Sequence, residues 1–229
     1  MSNLKSLAIV VAAAAVVAAG PGSAVVANAQ QKIVEITPFA GYYIASDIYT
    51  SYGSVQYGHV GLANSFMWGG RLTASNPRGG IEFAYTRTGS DVSINPPLVG
   101  QPSSNVGRLD IDNYDINFLA YQPSGNPRVT PFGEIGLGWA VTHPSINSNF
   151  VAGRAPGGST LFNFNFGLGA RVAMSPKLGM RLEGRWRVMD TNYQTNGGYW
   201  CDPWGYCYSY ATSWYNSGEL VGGLSYTLR

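Results

Sequence analysis

The residues able to do chemistry are few and scattered. In 229 residues the chain has two histidines, His59 and His143, two cysteines, Cys201 and Cys207, and 12 carboxylates against 14 Lys and Arg. His143-Pro144-Ser145 is a His-x-Ser triplet, the pairing a hydrolase uses when a base takes the proton of a serine nucleophile. Such a base needs an acid to orient it, and the sequence gives no acid an evident place beside this one. The plainer reading is a loop histidine and a turn serine. Glu82 and Glu134 could act as general acid and base, or pair with arginines on a shared face. Asp110-Ile111-Asp112 offers carboxylate oxygens to Ca²⁺, or is a solvated strand end. Neither histidine lies in a Cys/His/Asp cluster of metal-ligand spacing, so no metal and no cofactor is expected.

What must position these residues begins after an address segment. Lys5 precedes the apolar stretch Leu7 to Gly20, and Ala27-Asn28-Ala29 is a small-x-small cleavage site. Residues 1–29 read as a secretory signal peptide, leaving 30–229 as one folded domain. An exported chain meets an oxidising compartment, which makes a Cys201–Cys207 disulfide the expected state of the two thiols. Composition narrows the class further. Charged residues are 11% of the chain and aromatics 13%, with a net charge of +2. That balance offers no basic field for nucleic acid and argues against disorder.

From Gln30 onward the hydrophobic period is two. Phe162, Phe164, Phe166, Leu168, Ala170 and Val172 alternate with Asn163, Asn165, Gly167, Gly169 and Arg171. Leu178, Met180, Leu182, Gly184, Trp186 and Val188 alternate with Gly179, Arg181, Glu183, Arg185 and Arg187. A strand sends such sets to opposite faces. Similar segments fall near 32–44, 62–75, 80–91, 109–121, 129–142 and 214–228, each about as long as a tilted membrane strand. Short connections at 76–79, 122–128 and 175–177 alternate with long ones at 45–61, 92–108, 143–159 and 190–213. Strict alternation puts every long loop at one end of an up-and-down meander. The fold expected is all-β, an eight-stranded antiparallel transmembrane barrel.

A soluble eight-stranded barrel turns its apolar face inward. Here the polar face is sparse in charge and rich in glycine, including Gly41, Gly69, Gly136, Gly138, Gly167, Gly169 and Gly223, as suits a narrow lumen filled by side chains. The apolar face carries Tyr42, Trp68, Tyr114, Trp139, Phe162 and Trp186 towards the long loops and Tyr226 towards the other end, like the aromatic girdles of membrane barrels. Parity sends Glu35, Glu82, Asp115, Glu134, Glu183 and Glu219 inward with Arg71, Arg171, Arg181, Arg185 and Arg187. Six acids against five bases favour a mutually paired plug; a charged pore constriction is the other reading.

These features resemble the small eight-stranded outer-membrane barrels of the OmpA transmembrane-domain and OmpX kind. The resemblance spans residues 30–229. It rests on the address segment, the first strand Ile36-Thr37-Pro38-Phe39-Ala40-Gly41-Tyr42-Tyr43, the loop alternation, the charged interior and the closing strand Leu220 to Leu228. The chain departs from the family at its end, Leu228-Arg229, where the family carries a Phe read by the assembly machinery. No peptidoglycan-binding domain follows the last strand, so cell-wall tethering is not expected. The resemblance implies a Gram-negative outer membrane, contact with its lipid and lipopolysaccharide, and insertion by barrel-assembly machinery. The fourth loop is rich in rings, among them Trp200, Trp204, Tyr206, Tyr208 and Tyr210. It forms either a contact surface for an extracellular protein or glycan or a self-packed cap. Three functions follow in order: a non-enzymatic envelope or surface-interaction protein, a narrow porin-like pore, and a lipid-modifying enzyme. The last is suggested because outer-membrane lipid A deacylases look similar at the His-x-Ser triplet, on a lipid-facing wall.

Overall fold

The computed structural model describes residues 33–46, 48–52, 55–95, 104–126, 128–146, 158–190, 200–201, 207–208 and 214–228. The segment read as a signal peptide lies outside them. The described residues form twelve strands, and along the eight long ones apolar side chains alternate with small or polar ones. They are β1 (Ile33–Ala45), β2 (Ile48–Tyr52), β3 (Val55–Leu62), β4 (Ser65–Asn76), β5 (Gly79–Asn95) and β6 (Ser104–Tyr121). The rest are β7 (Val129–Ile146), β8 (Ser159–Ala173), β9 (Leu178–Asp190), β10 (Trp200–Cys201), β11 (Cys207–Tyr208) and β12 (Trp214–Leu228).

Eight of these close into a tube. β1, β4, β5, β6, β7, β8, β9 and β12 pair antiparallel in chain order, and β12 returns to β1. A path of paired residues runs Glu35, Thr73, Glu82, Asn117, Gly136, Asn165, Arg187, Ser217 and back to β1 at Ala45. It returns ten residues further along β1 than it began. That stagger tilts the strands and sets the width of the lumen.

The tube is apolar outside. Phe66, Trp68, Ile81, Phe83, Phe118, Leu137, Trp139, Leu168 and Leu220 are all exposed. In water, so continuous an apolar wall would be an aggregation surface; in a bilayer it is the required one. This is an eight-stranded transmembrane barrel.

All four long connections carry more sheet than alternation alone suggests. β5 runs on to Asn95, β6 begins at Ser104, and β7 continues through Ile146. Beyond the lipid band both faces can be polar, so the apolar signal stops while the backbone ladder continues. The first connection holds the β2–β3 hairpin, whose second strand, β3, pairs with the tip of β5. The fourth holds the β10–β11 pair.

Candidate functional site

The interior is built from alternate residues of the eight strands, with β9 as its spine. Arg181, Glu183, Arg185 and Arg187 recur every second residue and so share the inward face. Of the eleven ionisable side chains assigned inward by parity, ten are at most 6% exposed in the structure. Arg171, at the short-turn end, is the eleventh and is partly exposed.

From that end upward, Arg171 bonds Glu35, which also accepts a hydrogen bond from Thr227 Oγ1 at 3.0 Å. Arg71 of β4 grips Glu183 of β9 in a two-point fork. Arg181 bonds Glu82, reaches Glu134 Oε2 at 2.8 Å, and places Nε 2.9 Å from Glu183 Oε2. Arg185 donates from Nε to Glu134 at 2.7 Å and from Nη2 to Glu183 at 3.0 Å. Arg187 makes a bidentate pair with Asp115 at 2.8 and 2.9 Å, bonds Glu219 at 2.7 Å, and donates to Asn163 Oδ1 at 2.9 Å. No carboxylate of this stack stands alone, as low-dielectric burial demands.

Two aromatic rings support the guanidinium groups. Arg71 lies 4.3 Å from the centroid of Phe39, and Arg181 4.3 Å from that of Phe132, within cation–π range. Each ring lies over a glycine. A Cβ on Gly69 would sit 2.6 Å from Phe39 Cζ, and one on Gly169 2.5 Å from Phe132 Cζ. Glycine is what lets the ring lie flat against the wall. Sequence reasoning placed these glycines in the lumen without the rings that need them.

Above the stack, at the long-connection end, the interior turns apolar. Tyr43, Met67, Ile111, Ala140, Met189 and Tyr215 are buried together, and the Tyr43 hydroxyl donates to that of Tyr215 at 3.3 Å. Sequence reasoning missed this layer. Its signal was the inward parity of Tyr43, Met67 and Met189, apolar residues on an otherwise polar face. Along β5, β6 and β8, polar atoms of Thr86, Asn113, Asn163 and Asn165 are buried with no partner among the described residues. That wall therefore has hydrogen-bonding capacity to spare.

The other candidates lie elsewhere. His143, Pro144 and Ser145 do not leave the sheet. They continue β7, paired with Asp110, Leu109 and Arg108 of β6. An acid does stand beside the histidine, since His143 Nε2 is 3.4 Å from Asp112 Oδ2. Register brings them together, and it is invisible in a sequence where they lie far apart. Ser145 makes no hydrogen bond to His143 among the described residues, so the base is not linked to the nucleophile. Asp110 and Asp112 are not simply a solvated strand end. Asp110 pairs with Arg108 at 2.9 Å, and Asp112 accepts the Tyr85 hydroxyl at 2.8 Å. Among the described residues no group of three or more His, Cys, Asp or Glu could hold a metal. Glu82 and Glu134 are arginine partners in the stack. His59 falls on β3, opposite Tyr49 and Asn95. Cys201 and Cys207 face one another in register on β10 and β11, with Trp200 opposite Tyr208. Trp204, Tyr206 and Tyr210 lie outside the described residues.

No protein-family model matches the sequence, and no curated protein matches it either. Solved structures share its fold. Neisserial surface protein A (NspA) is similar at a TM-score of 0.53 and 14% identity, covering 85% of this chain and 97% of its own. The outer membrane protein OprG from Pseudomonas aeruginosa gives 0.55 and 10%, covering 87% and 98%. Identities this low carry the architecture and nothing finer.

Proposed function

We propose that the chain is a non-enzymatic barrel of the outer membrane of a Gram-negative-type cell, with a plugged lumen and its working surface in the long loops. In this reading residues 1–29 are the cleaved signal peptide and 30–229 the barrel domain. Barrel-assembly machinery inserts it among outer-membrane lipid and lipopolysaccharide. A Cys201–Cys207 bridge staples the fourth loop. Trp200, Trp204, Tyr206, Tyr208 and Tyr210 offer that loop's contact area to an extracellular protein or glycan, since Tyr and Trp give large rigid contacts at low entropy cost.

The observation that carries the plugged reading is the paired stack under its apolar layer. Five arginines meet six carboxylates across the lumen, with the innermost pairs wholly buried, and an apolar constriction above them resists wetting. A selective pore would show an excess of one sign facing water. The lumen's charges are nearly balanced and face one another.

The test is conductance in a planar bilayer of the refolded protein against Arg181→Ala plus Arg185→Ala. The wild type should be silent and the double variant should conduct. Steady conductance by the wild type sinks the plug and moves the pore reading to the front, with the same arginines as selectivity residues. For the loops, Trp204→Ala plus Tyr206→Ala should weaken binding to an identified surface partner, and unchanged binding removes the fourth loop from the interface.

A further inference from the structure

The outward wall is not uniform around the tube. Among the described residues, the outward positions of β1, β4, β8 and β12 carry no charged side chain. On β9 the one charged residue facing outward is Asp190, at its last position. The remaining outward charges stand together on two neighbouring strands, β5 with Arg87 and Asp91 and β6 with Arg108, Asp110 and Asp112. His143 of β7 stands beside them. They begin one dyad above an aromatic row. Tyr85 packs on Tyr114 with centroids 5.3 Å apart and edge-on to Trp68 at 6.2 Å, and Trp139 pairs with Tyr114 in register. Interfacial rings mark the depth where acyl chains give way to headgroups. The charged sector therefore stands at headgroup height on one side of the barrel.

We infer that this sector of β5, β6 and β7 docks the phosphorylated sugar headgroup of an outer-leaflet glycolipid. The inference rests on the outer-membrane placement proposed above. Its chemistry is legible in which groups are already engaged. Asp112 is 6% exposed, with Oδ1 accepting from Tyr85 and Oδ2 facing His143. Asp110 Oδ1 accepts Nε–H of Arg108. Arg87 in turn lies 3.6 Å from Asp112 and 3.7 Å from Asp110, so both guanidinium groups are shared with these carboxylates, yet their side chains remain about half exposed, Arg87 at 43% and Arg108 at 59%. A guanidinium carries five N–H donors in a fork that fits phosphate oxygens. Asp91 stands opposite Arg108 in register and is exposed, so the patch mixes donors with a carboxylate acceptor. A bare anion would call for one sign only. A phosphorylated sugar, with acceptor oxygens and donor hydroxyls over an apolar body, matches both signs and the rings beneath.

The wall is shaped for this pair. A Cβ at Gly89 would overlap Arg108 Nη2 and Asp110 Oδ1. Glycine there lets the Arg108–Asp110 pair lie against β5 rather than stand off it.

The test titrates the full folded barrel in detergent with lipid A, with phosphatase-treated lipid A and with inorganic phosphate, read by intrinsic fluorescence. Three barrels are compared: wild type, Arg87→Gln plus Arg108→Gln, and Gly89→Val. Heat-modified gel mobility selects folded material for each. Wild type should bind lipid A at least about tenfold tighter than the dephosphorylated lipid. The double variant should lose that margin. Gly89→Val, which keeps every charge but unseats Arg108, should lose part of it. Equal binding of the two lipids, an unchanged margin in the double variant, or inorganic phosphate binding as tightly as lipid A would each overturn the inference. Conductance tests the plug and this titration tests the docking sector, so either can fail alone.

Discussion

Among the described residues Arg187 is the largest fully buried side chain, and replacing it by methionine puts a number on the interior stack. Its guanidinium makes two parallel bonds to Asp115 at 2.8 and 2.9 Å and one to Glu219 at 2.7 Å. Arg187→Met keeps much of the volume and leaves those two carboxylates facing only Arg185, which lies 3.8 Å from Asp115 and 3.5 Å from Glu219. Breaking a buried pair from one side costs about 3–5 kcal/mol. The nearby Arg185 puts this case at about 3 kcal/mol, the lower end of that range. Adding Asp115→Asn removes the stranded charge, so the double variant should recover part of the loss, with a coupling of about 2 kcal/mol between the two sites. Arg187→Lys keeps the charge but loses the fork, and should cost about 1.5–3 kcal/mol. The assay is reversible urea unfolding in lipid vesicles, followed by the fluorescence of the six tryptophans. If Arg187→Met unfolds within about 1 kcal/mol of wild type and the two substitutions simply add, the pairs are not holding the lumen together.

Ile116 is 43% exposed on the lipid side, so Ile116→Arg should cost roughly 2–4 kcal/mol in vesicles; a loss near zero would mean that this wall does not meet hydrocarbon. A Cβ at Gly69 would overlap the Tyr85 carbonyl oxygen and crowd Phe39, so Gly69→Ala should cost about 1–3 kcal/mol by the same unfolding assay; wild-type stability would show that ring and glycine are not in close contact. If the facing Cys201 and Cys207 form the proposed bridge, intact mass should rise by two hydrogens on reduction; an unchanged mass means free thiols.

How much of this was legible in sequence differs from level to level. Period-two runs such as Phe162 to Val172, alternating long and short connections, and aromatic residues on the apolar face lead to a closed transmembrane barrel, which the structure shows. Partner choice is not written there. Arg187 meets Asp115 because β9 and β6 face one another across a tube with a stagger of ten residues, and stagger belongs to the closed sheet rather than to any one strand. The acid beside His143 was hidden for the same reason, since Asp112 arrives through the β6–β7 register. The extra strand length of β5 to β7 was hidden because above the lipid band a ladder needs no apolar alternation. The apolar layer under the mouth is written only in the parity of Tyr43, Met67 and Met189, apolar residues on a face that is otherwise polar.

The spine formed by β9 has a consequence for how such a barrel comes to exist. Its Arg181 and Arg187 reach Glu82 on β5 and Asp115 on β6, and its Glu183 takes Arg71 from β4. None of those strands is a neighbour of β9 in the sheet. In a partly inserted, unrolled sheet Arg181 would keep Glu183 and Arg187 would keep Glu219, but Asp115 on β6 would lose both Arg185 and Arg187, and hydrocarbon tolerates an unpaired charge poorly. Insertion and closure become a single cooperative event. Each cross-lumen pair acts as a check on registration: a sheet that closed one step out of place would bring charges to face apolar side chains, and its assembly would stall before it became a stable misfold.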